Sequence, residues 1–205
     1  IFIRALNPYG LAKDNADWTA YYDRFVEFYK QALEYIIELN KSGEVFVEEF
    51  ATLILRKILT PFPIGFVDLQ SPAGIINGVI VYNYDGYVYA SDESRMLAEF
   101  RDYTFRVGSV TDRYEDLFYG RKAQEISRLW VTECIAGCAD CAFQSICGAD
   151  PVRNYSTQGD MYGFRPTSTF CRKHKAIIEY IFGLLADRRE EVLPIFKSWI
   201  TGTRG

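Results

Sequence analysis

Cys134, Cys138, Cys141, Cys147 and Cys171 are the only cysteines of this 205-residue chain, and all lie within 134–171. Five cysteines are too few for a disulfide scaffold at this length. The Cys138-Ala-Asp-Cys141 turn puts two thiolates on one side of a tight loop, where they can share a metal centre. Cys147 follows five intervening residues later, and Cys171 lies at the start of an expected helix. Gly137 and Gly148 flank the group and let the backbone fold closely around it. Short loops of this kind also aim backbone N–H groups at sulfur. Four thiolates suit an iron–sulfur cluster or a structural zinc, whereas disulfides would leave one Cys over. Spacing alone does not separate iron from zinc. Cys134 reads as a small core residue.

Other candidate groups are fewer. Arg165, Arg172 and Lys173 flank Cys171, placed to reduce the charge of a centre there or to meet a substrate. His174 is the only His, so a His-rich metal site is excluded, and it reads as a surface or second-layer residue. Arg4 reads as a strand-end ion-pair partner, or as a strand residue facing a bound cofactor. With 23 basic and 27 acidic residues the net charge is -4, which gives no electrostatic case for nucleic acid. No apolar run reaches the roughly 18–20 residues that span a bilayer, and no secretory signal is evident. The chain opens without an initiator Met, as if a strand were already under way, and reads as a piece of a longer cytoplasmic protein.

These groups need elements to position them. Ile1–Leu6 reads as a strand, followed by a turn at Asn7-Pro8-Tyr9-Gly10. Trp18, Tyr21, Tyr22, Phe25, Phe28, Tyr29, Ala32, Ile36 and Leu39 recur at three- and four-residue steps and predict a long helix capped by Asp17 and ended by Gly43. Val45–Phe50 reads as a second strand, and Ala51–Leu59 as a short helix stopped by Pro61 and Pro63. Strand, helix, strand is a βαβ unit, expected to be the cut end of a larger α/β domain. Val79–Tyr84 and Tyr87–Ala90 around Asp85-Gly86 predict a two-residue hairpin. Thr111–Trp130 reads as a helix, 131–170 as a loop that needs more than apolar burial to order it, and Arg172–Arg188 and Glu190–Ile200 as closing helices.

At its cysteines the chain resembles the SPASM domain, the auxiliary-cluster domain of radical SAM peptide maturases. That family's core motif is Cys-x2-Cys-x5-Cys-x3-Cys with a further Cys downstream. Cys138, Cys141 and Cys147 match its first three positions and Cys171 the downstream one. Pro151 stands at the fourth. The family's other cluster uses a Cys before, and a Cys after, a hairpin Gly. Gly86 matches the Gly, but Ala73 (or Ser71) and Ser91 stand where those two cysteines would be. The resemblance extends to the His-Xaa-Ser system radical SAM maturases through Arg4–Gly10, Tyr82–Gly86, Asp92–Leu97, Cys147–Val152, Thr157–Asp160 and Gly163–Lys173.

The resemblance implies an α/β (α+β) chain: residues 1–60 as the C-terminal βαβ end of a partial TIM-like barrel, and 61–205 as a SPASM-like domain with a β-hairpin, a Cys-rich loop and C-terminal helices. It implies one auxiliary [4Fe-4S] cluster on Cys138, Cys141, Cys147 and Cys171, with zinc as the alternative occupant. S-adenosyl-L-methionine and a second [4Fe-4S] cluster would belong to an N-terminal part that carries the family's Cys-x3-Cys-x2-Cys. Partners would be a precursor peptide or protein, an electron donor and a companion maturase. A zinc-binding peptide-interaction module and a degenerate substrate-delivery subunit are the competing readings. Asp92 follows Ser91, as a catalytic Asp follows the second Cys in sulfatase-maturing relatives. It could take a proton during substrate oxidation, or it could simply face water.

Overall fold

The computed structural model describes residues 1–12, 17–127 and 131–202. The chain is helix-rich with one small antiparallel sheet, and it divides into two compact units. The first unit collects 1–6, 17–64 and 167–205; the second collects 7–16 and 65–166.

The first unit is built on four helices: α1 (Trp18–Lys41), α2 (Glu49–Leu59), α7 (Thr169–Asp187) and α8 (Arg189–Thr201). Asp17 caps α1, accepting from the backbone N–H groups of Thr19 and Ala20, as the sequence predicts. Tyr22, Val26, Tyr29, Leu33, Ile36 and Ile37 form its buried stripe, at the spacing one helix face requires. Gly43 follows the helix with a φ of 94°, where a side chain would be strained. Helix α7 packs along α1, and α8 along α2 and α7. Helix α7 contributes Phe170, His174, Ile177, Ile178, Ile181 and Leu184 to this core.

The two strands predicted at Ile1–Leu6 and Val45–Phe50 do not form. The Ile1 nitrogen donates to Val47 O at 2.7 Å and Glu49 N–H donates to Ile1 O at 2.8 Å. That is the bonding of one parallel rung, and the segments then part. Glu48 explains the parting. Its carboxylate is fully buried and takes N–H bonds from Ile3 (3.0 Å) and Ala51 (2.6 Å) and an O–H bond from Tyr29 (2.5 Å). Its bond to Ala51 caps α2, so helix begins at Glu49, where a strand would have to continue.

The second unit holds the sheet: β1 (Val81–Tyr82), β2 (Tyr87–Tyr89) and β3 (Arg106–Ser109), in that order and all antiparallel. The hairpin lies where the sequence places it, but Asn83 N–H donates to Tyr87 O and Gly86 N–H donates to Asn83 O, so three residues turn rather than two. Gly86 alone takes a positive φ, of 83°, whereas a two-residue primed turn needs one at Asp85 as well. Strand β3 was not expected. The predicted helix at 111–130 is two short ones, α4 (Tyr114–Tyr119) and α5 (Arg121–Ser127), broken at Gly120, whose ψ of 162° leaves the helical region; 128–130 lie outside the described residues. Helix α3 (Asp92–Ala98) follows β2, and α6 (Pro151–Gln158) interrupts the segment predicted as loop.

Candidate metal centre

Cys138, Cys141 and Cys147 lie in the second unit on a succession of tight turns. Cys138 N–H donates to Ile135 O, Cys141 N–H to Cys138 O, and Cys147 N–H to Phe143 O at 2.8 Å. Ile135 and Ile146 are buried and anchor the two ends of this run. The three thiols are half-buried and none is in a disulfide. Cys138 packs against the apolar core formed by the sheet, α3 to α6 and Tyr9.

The loop is held by polar ties and by close approach. Ser71 Oγ accepts from Thr132 N and Thr132 Oγ1, both at 3.0 Å, and donates to Glu133. Gln144 Nε2 donates to Thr132 Oγ1 at 3.1 Å, closing the loop across its base. Backbone bonding at Glu133, with bonds from Gln144 and then Ser71, holds the Glu133 carboxyl below the usual carboxylate range. A Cβ on Gly148 would collide with Asp68 O and Leu69 Cα. The next residue, Ala149, donates its N–H to Gln70 O. At the other end Gly137 takes a φ of 76°, and a Cβ there would strike Pro166. Both glycines therefore answer to close packing, as the sequence reading expects. Sequence reasoning missed Ser71, Thr132 and Gln144, because a hydroxyl–amide tie has no periodic or motif signature.

Arg165 sits beside this loop. It is 1% exposed, and its Nη2 lies 3.8 Å from Cys147 Sγ. Burying a guanidinium costs several kcal/mol unless an anion or good hydrogen-bond acceptors meet it.

Cys171 belongs to the first unit, in the first turn of α7, where its N–H donates to Ser168 Oγ at 3.1 Å. Among the described residues no group of three or more His, Cys, Asp or Glu side chains is drawn together closely enough to hold a metal ion. Three half-buried thiols thus share one turn-rich loop beside a buried cation, but among the described residues they are not drawn together as a metal centre requires. In metal sites of this kind loop ordering and binding are one equilibrium.

The remaining sequence candidates fall as follows. Cys134 is exposed rather than a core residue, because the 3-10 turn Thr132–Cys134 buries Thr132 instead. His174 is not at the surface. It is 1% exposed, stacked on Phe170 and edge-on to Phe50, with Nδ1 2.8 Å from Phe170 O. Its position on the buried stripe of α7 dictates this. Asp92 is exposed in the first turn of α3 and bonded to Arg95 at 3.0 Å. Arg4 is exposed with its guanidinium over the Phe2 ring. Arg172 pairs with Asp23, and Lys173 lies over the Tyr22 ring.

The positions where the resemblance expects further cluster cysteines carry other work. Ser91 is buried and caps α3 reciprocally: Ser94 N–H donates to Ser91 Oγ, and Ser91 N–H to Ser94 Oγ. Ala73 is buried in the core, and Pro151 opens α6 behind its cap Asp150.

The same unit contains a cavity of about 540 Å³ walled by Tyr9, Leu97, Phe100 and Tyr155, with Asp102 and Thr157 among its polar groups. Tyr9 is 4% exposed. Burial first, then the Asp150, Glu93 and Asp68 carboxylates, pushes its hydroxyl far above the ordinary tyrosine range. Burial likewise raises Glu93.

Against known proteins, the fold has clear counterparts. The chain superposes on the solved structure of anSMEcpe with bound AdoMet at a TM-score of 0.60, with 17% identity over 93% of this chain and 47% of that one. It does so on anSMEcpe with bound AdoMet and the Kp18Cys peptide at 0.59, with 18% identity over 90% of this chain and 48% of that one. anSMEcpe is an anaerobic sulfatase-maturing enzyme of the radical SAM/SPASM class. This chain spans less than half the length of those structures. No family model matches it, and no curated protein does. At this identity the likeness establishes a shared fold.

Proposed function

We propose that this chain is part of a radical SAM enzyme that modifies a ribosomally made peptide or protein, and that its cysteine loop carries one auxiliary [4Fe-4S] cluster. The observation that carries the proposal is the shared fold over about nine-tenths of the chain with anSMEcpe, whose structures hold AdoMet and a peptide. The finer kinship with the His-Xaa-Ser system maturases rests on the sequence segments alone.

Cys138, Cys141 and Cys147 are ligands on the sequence pattern and share one loop; Cys171 is the fourth on the same pattern. When bound, such a cluster supplies a site that accepts or donates one electron, or an inorganic staple for the loop. The chain's own residues set the stage for it. Gly137 and Gly148 permit the close packing of the loop ends, the Ser71–Thr132–Gln144 ties hold its base, and Arg165 supplies positive charge. The reading of one cluster is supported by the structural employment of Ala73, Ser91 and Pro151, none of which offers a thiol. The SAM-cleaving cluster, SAM itself, the electron donor and a companion maturase would be engaged by the longer protein.

Elemental analysis of anaerobically purified full-length protein tests this. Iron with acid-labile sulfide is expected beyond what the SAM-cleaving cluster accounts for, and Cys141→Ser or Cys171→Ser should remove that excess while Cys134→Ser retains it. Stoichiometric zinc without the extra sulfide would favour a zinc-bearing interaction module. Loss of metal in Cys134→Ser would overturn the ligand set. Asp92 enters on the resemblance alone. If it is the proton acceptor, Asp92→Asn lowers peptide modification by roughly 100-fold or more; if it only serves the α3 terminus with Arg95, turnover stays within a few-fold.

A further inference from the structure

We infer that the cavity of about 540 Å³ in the second unit binds a lysine side chain of a peptide, its ammonium held by Asp102 among the rings of Tyr9, Phe100 and Tyr155; the peptide as occupant rests on the reading above. Three segments build the walls. Helix α3 ends in the two bonds of a left-handed cap: Arg101 N–H donates to Ala98 O at 2.9 Å and Asp102 N–H to Leu97 O at 3.2 Å. Arg101 takes a φ of 65° there, a conformation that residues other than Gly rarely adopt. The reversal brings Leu97, Phe100 and Asp102 to the same cavity. Gly10 seats the half-exposed Phe100 ring, since a Cβ on Gly10 would lie 3.1 Å from Phe100 Cε2. On α6, Tyr155 is pinned by Thr104 Oγ1, which donates to its hydroxyl at 3.0 Å, and by the Phe105 ring, edge-on at 5.5 Å. Tyr9 is buried, and its hydroxyl has no hydrogen-bond partner among the described residues.

The charge of these walls has one sign. Asp102 Oδ1 accepts from Thr104 N–H at 3.1 Å, and among the described residues no donor meets Oδ2. Ser156, Thr157 and Gly159 bring the carbonyl end of α6 to the cavity, the negative pole of the helix dipole. The Asp150, Glu93 and Asp68 carboxylates each act on the Tyr9 hydroxyl more strongly than Arg153 does. None of the described lining residues is Lys, Arg or His. Aromatic faces attract cations, most strongly where water is excluded. Rings beside a carboxylate therefore suit a cation on an apolar stem, with Leu97 and the rings along the stem and Asp102 at the charge. One open carboxylate oxygen suits the compact ammonium of lysine better than the guanidinium fork of arginine, which is met best by two. The volume is that of a small-ligand site, so the adjoining peptide backbone fits with the side chain.

The test is equilibrium dialysis of the full-length protein against the capped tripeptide acetyl-Gly-Lys-Gly-amide, and against the same peptide with norleucine or arginine at its centre. Norleucine keeps the stem and lacks the charge. Wild type should bind the lysine peptide about tenfold more tightly than the norleucine peptide, and more tightly than the arginine peptide. Asp102→Asn, whose amide oxygen can still accept from Thr104 N–H, should abolish that preference at an unchanged melting temperature. Glu125→Gln, which alters an exposed carboxylate outside the cavity, should retain it. Absence of lysine-selective binding by wild type overturns the inference, as does tighter binding of arginine or a preference that survives Asp102→Asn. If Asp102→Asn fails to fold, Phe100→Ala decides: a preference unchanged from wild type overturns the inference. Iron, sulfide and AdoMet cleavage are read on the same preparations. Their absence is the failure of the radical SAM reading, and their presence without lysine-selective binding is the failure of this inference alone.

Discussion

Replacing Glu48 tests how the first unit is held together. The buried carboxylate serves three donors: Oε1 accepts from Ile3 N–H, and Oε2 from Tyr29 O–H and Ala51 N–H. In Glu48→Ala the Tyr29 hydroxyl, fully buried, and the Ala51 N–H lose their acceptor together. A buried donor left unsatisfied costs about 1–3 kcal/mol and a lost helix cap about 1 kcal/mol, so the expected loss is about 2–4 kcal/mol. At about 2–4 °C per kcal/mol for a chain of this size, the melting temperature falls by about 4–16 °C. Glu48→Gln separates the two oxygens. Its amide oxygen can stand at Oε2 and keep Tyr29 and Ala51, while its NH2 then confronts the Ile3 N–H. The expected loss is about 1–3 kcal/mol, the cost of one unsatisfied donor, with faster hydrogen exchange at Ile3 and little change at Ala51. Differential scanning calorimetry and amide exchange read both. The reasoning is refuted if Glu48→Ala costs less than ~1 kcal/mol, or if Gln and Ala variants lose equal stability and expose the same amides.

Gly148→Ala drives a methyl into the backbone of Asp68 and Leu69. It should destabilise by at least ~1–3 kcal/mol and lower metal retention of the loop, measured by thermal melts and iron content. Ala149→Gly, one position on, should leave the metal in place. The pH dependence of the first unit's helix packing has a definite sign. Bonds from Arg188 and then Lys41 lower the Glu191 carboxyl to about 2. A carboxyl depressed on folding stabilises above its unfolded value of ~4.3, and that contribution is lost as the pH falls from there toward 2. Arg188→Gln should flatten stability across this interval, as should high salt, since Glu191 is solvent-accessible; an unchanged acid limb in Arg188→Gln would count against the assignment.

Helices with a continuous apolar stripe were legible from the sequence. The tyrosines, leucines and isoleucines of α1 recur at helical spacing, and Asp17 marks its start. The predicted strands were not, because Ile1–Leu6 and Val45–Phe50 have strand composition while their partners are not encoded in that composition. Glu48 redirects the second of them into a helix, and a lone buried Glu reads from sequence as a surface charge. Helix α6 was readable in principle, since Asp150 caps it, Pro151 opens it and Gly159 closes it with a φ of 74°. The neighbouring cysteines drew that whole stretch into a loop reading. At the site, the residue types and the roles of the two glycines were visible in the sequence. The burial of Arg165 and the Ser71–Thr132–Gln144 ties were not; the ties join residues up to 61 positions apart.

The interleaving of the two units constrains the order in which the protein can be made. Every residue of the second unit has been translated by position 166, ahead of α7 and α8. The cysteine loop and the residues it packs against within that unit therefore all precede α7 and α8 in synthesis. Helices α1 and α2 must wait, with their apolar stripes uncovered, for the last segment of this sequence to emerge. A stop after 166 would thus spare the later-read unit and condemn the earlier-read one, so a nascent chain is most exposed to aggregation just before those closing helices arrive.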